Sequence, residues 1–232
     1  MRFDIITIFP KAFSYLNESI IKRAADKKLL EIHIHDLRAF AHDKHRRVDD
    51  RPYGGGAGMV MKVEPIYRAV EHIKKITARK KYKKTRIILL AAKGKRFVQK
   101  KGRQMAHYEH IIFICGHYEG VDERVAGHIA DEELSIGDYV LTGGELPAMV
   151  ALDAIVRHIP GVIKKASLEQ ESFGVHKGRG VGLEYPHYTR PESFISNGNK
   201  NKKMKPWVVP KVLLSGDYAK IEQWKEIHKK SC

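Results

Sequence analysis

Runs rich in Ile, Val, Leu and Phe recur along the chain at Phe3 to Phe9, Leu30 to His35, Arg86 to Ala92 and His110 to Cys115. Between them, apolar positions fall at helical spacing, as from Val63 to Ile76 and from Val98 to His107. Short apolar runs alternating with amphipathic ones predict an α/β fold with a mostly parallel sheet. Ligands of such sheets sit beyond the carboxyl ends of the strands. The loops Ala91 to Gly94, Cys115 to Gly120 and Ser135 to Gly144 all fall at such ends, which predicts three loops converging on one crevice.

The third loop opens the stretch SIGDYVLTGGELP, Ser135 to Pro147, which places glycines and a proline where a plain strand-to-helix connection needs neither. Gly137, Gly143 and Gly144 are free to adopt positive φ and carry no Cβ, so their amides and carbonyls are expected to line a small-molecule pocket. A tight turn packed under a helix is the alternative. Pro147 suits the first turn of the apolar helix expected over Ala148 to Val156. After Pro160 and Gly161 the periodicity breaks, and Lys164 to Glu184 reads as a mobile linker. Trp207 to Leu214 and Asp217 to His228 read as short helices, the second with Asp217 as N-cap. The expected organisation is an α/β domain over 1–163, a linker over 164–185 and a small helical module over 186–232.

Charge narrows the partners. With 43 Lys and Arg against 27 Asp and Glu, the formal net charge is +16 over 232 residues, which implies a polyanion, either nucleic acid or an anionic membrane. No apolar run is long enough to span a bilayer, and Asp4 interrupts the N-terminal apolar patch, which argues against a signal peptide. Two cysteines, Cys115 and Cys232, make no disulfide framework and fit a reducing cytoplasm. The stretch from Asp43 to Gly58 is basic and glycine-rich, but no Lys-Ser or Lys-Thr follows its glycines, so it is not a P-loop. Asp50 within it is suited to accept hydrogen bonds from the N1–H and amino group of an unstacked guanine. His33 and His35 alternate as on one face of a strand, a poor match to a metal site.

Four motifs in order carry a resemblance: DDRPYGGGAGM from Asp49 to Met59, GHYEGVDER from Gly116 to Arg124, the Ser135 to Pro147 block, and HYTRPE from His187 to Glu192. Together they resemble the bacterial tRNA (guanine-N1)-methyltransferases, knotted enzymes of the SPOUT class, over Phe9 to about Trp224. The resemblance implies a deep trefoil knot, a small α-helical C-terminal domain, and a cytoplasmic homodimer whose active site forms between protomers. The implied reaction is methyl transfer from S-adenosylmethionine to N1 of guanosine 37 in tRNAs carrying guanosine 36, which helps maintain the reading frame. Leu90, Gly116, Tyr118, Ser135, Ile136, Gly137, Asp138, Tyr139, Val140, Leu141, Gly143, Gly144 and Pro147 match the donor-binding positions. For Tyr118 and Tyr139, core packing is an equal alternative. The tRNA-binding candidates are His45, Arg46, Asp50 and Arg51.

Catalytic roles follow from the same resemblance. Arg157 would steady negative charge developing on guanine O6, although its place at a helix C-terminus already suits the dipole. Glu171 stands before Ser172-Phe173 where the family carries aspartate, and would take the N1 proton. The segment before it is one residue shorter than usual, which makes Glu169 a fallback base. Glu119, with Glu171, is the candidate ligand pair for Mg²⁺, and capping of the next helix is its alternative. Ala57 stands where the family usually has proline, 196–205 is inserted, and relatives continue with more helix beyond Trp224. Two rivals remain: a knotted methyltransferase acting on ribose or ribosomal RNA, and a non-catalytic RNA-binding protein that has lost its base.

Overall fold

The structure is a computed structural model that describes residues 1–176, 180–196 and 205–229. One unit, Met1–Ile163, runs through β1 (Arg2–Thr7), α1 (Ser19–Asp26), β2 (Glu31–Asp36), β3 (Asp49–Asp50), β4 (Val60–Met61), α2 (Val63–Thr77), β5 (Thr85–Arg96), α3 (Gln99–Met105), β6 (His110–Cys115), α4 (Glu123–His128), β7 (Glu132–Ser135) and α5 (Glu145–Val156). Five strands form one sheet in the order β2-β1-β6-β5-β7, every pair parallel. The apolar alternation explains its two covered faces. Phe3, Ile5, Ile88, Leu90, Ile111 and Phe113 pack under α5 and its neighbours, while Ile6, Leu89, Ile112 and Ile114 pack under α2.

One carboxylate interrupts this core. Asp4 on β1 is fully buried and accepts from Arg2 Nε at 2.6 Å, Arg2 Nη2 at 2.8 Å, His35 Nε2 on β2 at 2.7 Å and His110 Nε2 on β6 at 2.7 Å. Burial alone pushes the Asp4 carboxyl up, but the hydrogen bonds from His110, His35 and Arg2 outweigh it and hold the group well below the usual carboxylate range. His35, considered above as a metal ligand, is committed to this ion cluster.

At the carboxyl end of the sheet the loops lie against one another. Leu90 and Lys95 both pair with Leu134, so Ala91–Gly94 loops out of the β5–β7 ladder. His117 bridges Gly143 in antiparallel fashion, and Gly144 N donates to Gly116 O at 2.7 Å. A Cβ on Gly144 would stand 2.7 Å from Cys115 Cα, and one on Gly137 would stand 2.4 Å from the Tyr139 ring. None of Gly137, Gly143 and Gly144 has positive φ. The expectation of left-handed backbone there is therefore corrected: Gly137 and Gly144 are needed for the contact of protein with protein.

The second unit, Lys164–Cys232, contains α6 (Lys165–Gln170), the antiparallel pair β8 (Gly174–His176) and β9 (Gly180–Gly182), the antiparallel pair β10 (Ser193–Phe194) and β11 (Trp207–Val208), α7 (Lys211–Leu214) and α8 (Tyr218–His228). The segment expected to be a linker thus holds a helix and a strand pair. Its order comes from backbone pairing that leaves no apolar period: Phe173 N donates to Gly182 O, Ser172 N to a Glu184 carboxylate oxygen, and Glu184 N to Ser172 Oγ. The helix expected from Trp207 begins only at Lys211, because Val209 precedes Pro210 and Trp207–Val208 pairs with β10. Asp217 caps α8 by accepting from Lys220 N. Residues 197–204 of the inserted segment lie outside the described residues.

Two outcomes test these contacts. Asp4→Ala strands the four donors of Arg2, His35 and His110 and is expected to cost about 3–5 kcal/mol in urea unfolding at pH 7. Because the folded-state value is depressed, the difference from wild type should shrink as pH falls below about 4, where the unfolded carboxyl takes up its proton. A constant difference from pH 7 to pH 3 would contradict the assignment. Gly144→Ala should lower the unfolding midpoint by about 1–3 kcal/mol of stability, and an unchanged midpoint in thermal unfolding would show that the loops absorb a methyl group freely.

Candidate functional site

The three strand-end loops enclose a cleft of about 470 Å³, within the size range of small-molecule sites. Ala91–Lys93 form one wall, Gly116–Val121 a second, and Ser135–Gly137 with Tyr139–Gly144 the third, closed by Pro147 at the start of α5. Of the donor-binding candidates, Leu90, Gly116, Tyr118, Ser135, Ile136, Gly137, Tyr139, Val140, Leu141, Gly143, Gly144 and Pro147 all border it. Asp138 does not. Its carboxylate faces Arg96 Nη1 at 3.4 Å.

The walls are held mainly by backbone. Ser135 Oγ donates to Gly137 O at 3.0 Å, and Phe97 N donates to Ser135 O at 2.7 Å. Tyr118 is held at φ 61°, a left-handed conformation costly for a residue with a Cβ, and Gly120 at 149°. The turn between them rests on the glycine-rich hairpin: Glu119 N donates to Met59 O at 3.1 Å, Met61 N to Gly120 O at 2.9 Å and Asp122 N to Met61 O at 3.0 Å. A side chain on Gly58, itself at φ 76°, would strike the Glu119 carboxylate. Burial, reinforced by the Asp49 carboxylate on the same hairpin, pushes the Tyr118 phenol up.

Several residues in the cleft and beneath it were not anticipated. Lys93 pairs with Glu123 at 2.5 Å and reaches Glu133 at 3.6 Å, so one cation spans two carboxylates at the rim. Glu145, buried in the first turn of α5, accepts from Thr7 Oγ1 at 2.7 Å and lies 3.9 Å from His117 Nδ1. Thr7 Oγ1 accepts in turn from Phe9 N at 2.9 Å. Glu145 therefore ties the end of β1 to the start of α5. The only signal in the sequence was an acidic residue at a helix N-terminus.

The remaining candidates lie elsewhere. Glu119 borders the cleft but is exposed, and among the described residues no three His, Cys, Asp or Glu side chains gather to hold a metal ion. His45, Arg46, Asp50 and Arg51 are exposed on and before the β3–β4 hairpin. Asp50 accepts from Arg51 N at 2.9 Å and pairs with Lys62 at 3.2 Å, and these two contacts, the amide first, lower its pKa. Arg157 is the C-cap of α5, whose twelve residues span about 18 Å, so it stands at the far end of the helix from the cleft. Glu171 is buried and ends α6 in extended conformation.

Comparison with known proteins places these features in a family. The family described as tRNA (Guanine-1)-methyltransferase TrmD matches residues 1–231. A tRNA (guanine-N(1)-)-methyltransferase of Clostridioides difficile (strain 630) is 50% identical over 227 residues, covering 97% of this chain and 90% of its own. Proteins of the same name from Dehalococcoides mccartyi (strain ATCC BAA-2266 / KCTC 15142 / 195) and Anoxybacillus flavithermus (strain DSM 21510 / WK1) are each 48% identical, covering 97% of this chain and 84% and 85% of theirs. With residues 1–231 matched and relatives about half identical over 97% of its length, the chain belongs to the tRNA (guanine-1)-methyltransferase family.

Proposed function

We propose that this protein methylates N1 of guanosine 37 in tRNAs carrying guanosine 36, with S-adenosylmethionine as donor, and so helps maintain the reading frame in the cytoplasm. The observation that carries the reading is the backbone-built cleft at the carboxyl ends of β5, β6 and β7. Its size, its apolar Leu90, Leu141 and Pro147, and the amides and carbonyls of its loops suit an adenosine and a short charged tail. The bound donor supplies an electrophilic methyl group. Loops crossing as closely as Gly144 does over Cys115 and Gly116 support a knotted connection of the SPOUT type.

The remaining chemistry is assigned to this chain's own side chains. Asp50 is ionised at neutral pH and offers acceptors to the N1–H and amino group of the guanine beside the target. Glu171 accepts the N1 proton, and the Arg157 guanidinium steadies the charge that grows on O6. The far-end position of Arg157 on α5 supports an arrangement in which it serves the cleft of a second protomer. So does the outer face of α5, where Leu146 and Val150 stand about half exposed beside Asp153.

Incubation with labelled S-adenosylmethionine and unmodified tRNA tests the reading directly, and N1-methylguanosine is the expected product. Ribose methylation, or no transfer at all, overturns it in favour of one of the two rivals. Glu171→Gln should slow single-turnover methylation about a hundred- to ten-thousand-fold with donor affinity little changed, Glu171→Asp should retain activity, and Glu169→Gln should be nearly silent. A crippled Glu169→Gln beside a normal Glu171→Gln would move the base by two residues. Asp50→Ala should equalise turnover on tRNAs with and without guanosine 36, so preserved discrimination would remove Asp50 as the reader. Activity should also vanish on dilution below the dimerisation range, and a fully active monomer by light scattering would contradict the shared site.

A further inference from the structure

The net charge of this chain is concentrated. Between Glu71 and Glu109 the sequence contains fourteen Lys and Arg and no Asp or Glu, so nearly all of the net +16 falls in residues 72–108. Half of those cations, Lys74, Lys75, Arg79, Lys80, Lys81, Lys83 and Lys84, occupy the end of α2 and the connection to β5, and all seven are exposed. Lys74 and Lys75 in the last turn of α2 suit the helix dipole. That accounts for two charges at most.

The connection is fixed at several points while its cations stay outside. Lys80 Nζ holds both Glu31 carboxylate oxygens at 2.8 Å, at the start of β2. Lys83 N donates to a Glu109 carboxylate oxygen at 2.6 Å, and Lys84 O accepts from Glu109 N at 3.0 Å and His110 N at 3.2 Å, at the start of β6. The Tyr82 ring turns inward onto His110, with centroids 4.9 Å apart. The segment therefore lies across the amino ends of the strands. Lys75, Arg79, Lys81, Lys83 and Lys84 have no carboxylate partner among the described residues. Five unpaired cations on a pinned backbone repel one another, a cost that a bound polyanion removes.

We infer that this face is a second RNA-binding surface, which grips the phosphate backbone of the substrate away from the methyl-transfer cleft. The cleft begins at Leu89 and Leu90 on β5 and at Gly116 just past β6, four to six residues along from Thr85 and His110, so the two surfaces are separated by about 17 Å. That distance equals about five stacked base steps, within reach of one folded RNA. A lipid surface fits less well: Ile76 is the one large apolar side chain exposed between Lys74 and Lys84, and the aromatic that would sit in a membrane interface is packed inward. The inference rests on the proposed tRNA substrate but not on the methyl-transfer chemistry.

The test is filter binding, without S-adenosylmethionine, of the full chain carrying Lys75→Gln, Arg79→Gln, Lys81→Gln, Lys83→Gln and Lys84→Gln. Full-length tRNA should bind at least several-fold more weakly at moderate salt, and the slope of log affinity against log salt should fall by about two or more, given about 0.7–0.9 for each phosphate no longer neutralised. An isolated anticodon stem–loop should bind as it does to wild type. A companion variant with arginine at the four lysines should keep wild-type affinity for full-length tRNA. The inference is overturned if the slope is unchanged, if the stem–loop loses as much affinity as full-length tRNA, or if the substitutions abolish only binding to phosphatidylserine vesicles. Wild-type protein that binds tRNA with this salt response yet transfers no methyl group defeats the proposed function and leaves the second surface standing.

Discussion

The site depends on the close approach of one backbone to another at Gly144. Its amide donates to Gly116 O and its Cα lies so near Cys115 that a methyl group would not fit. That approach fixes where α5 begins, so it also fixes Pro147 at the cleft and Glu145 under Thr7. It orders the loop after β7 against the loop after β6, and hence two of the three walls. Side chains contribute little to this registration. A cleft shaped by peptide groups presents donors and acceptors at positions that rotamer changes cannot disturb, which suits recognition of a ligand through its heterocycle edge.

Much of the α/β unit was legible because most of its strands are built around short apolar runs. β6 coincides with the run read from His110 to Cys115, and α2 ends within a residue of its expected limit. β7 was implied only by the loop placed at its end: four residues beginning Glu132-Glu133 carry no strand pattern of their own, and the strand is set by pairing with β5. β5 also runs past its apolar stretch to Arg96, because Gly94 lets the strand return against Leu134 after the loop. In the second unit the pattern of residues misled, since Glu184 and Gly182 act through isolated hydrogen bonds that leave no period in the sequence.

For the site, the rule that ligands lie beyond strand ends located the cleft, and the glycines marked its walls for a reason other than the one expected. Their lack of side chain serves chain packing, so sequence could identify the place without identifying the cause. The Lys93, Glu123 and Glu133 cluster was invisible because it joins three separate segments. Arg157 was legible as a helix-end cation. Its separation from the cleft follows from the length of α5, which runs from the cleft at Pro147 to Arg157.

The Asp4 cluster bears on the order in which the chain can mature. Its donors come from residues 2, 35 and 110, so the carboxylate in the first strand waits for a histidine more than a hundred positions downstream. While the chain is being synthesised, β1 and β2 can associate early, but Asp4 keeps an unfilled bonding position until β6 arrives. Docking of β6 between β1 and β5 is thus the step that commits the amino terminus, and a nascent chain shorter than about that length holds a solvated charge where the finished sheet has a buried one.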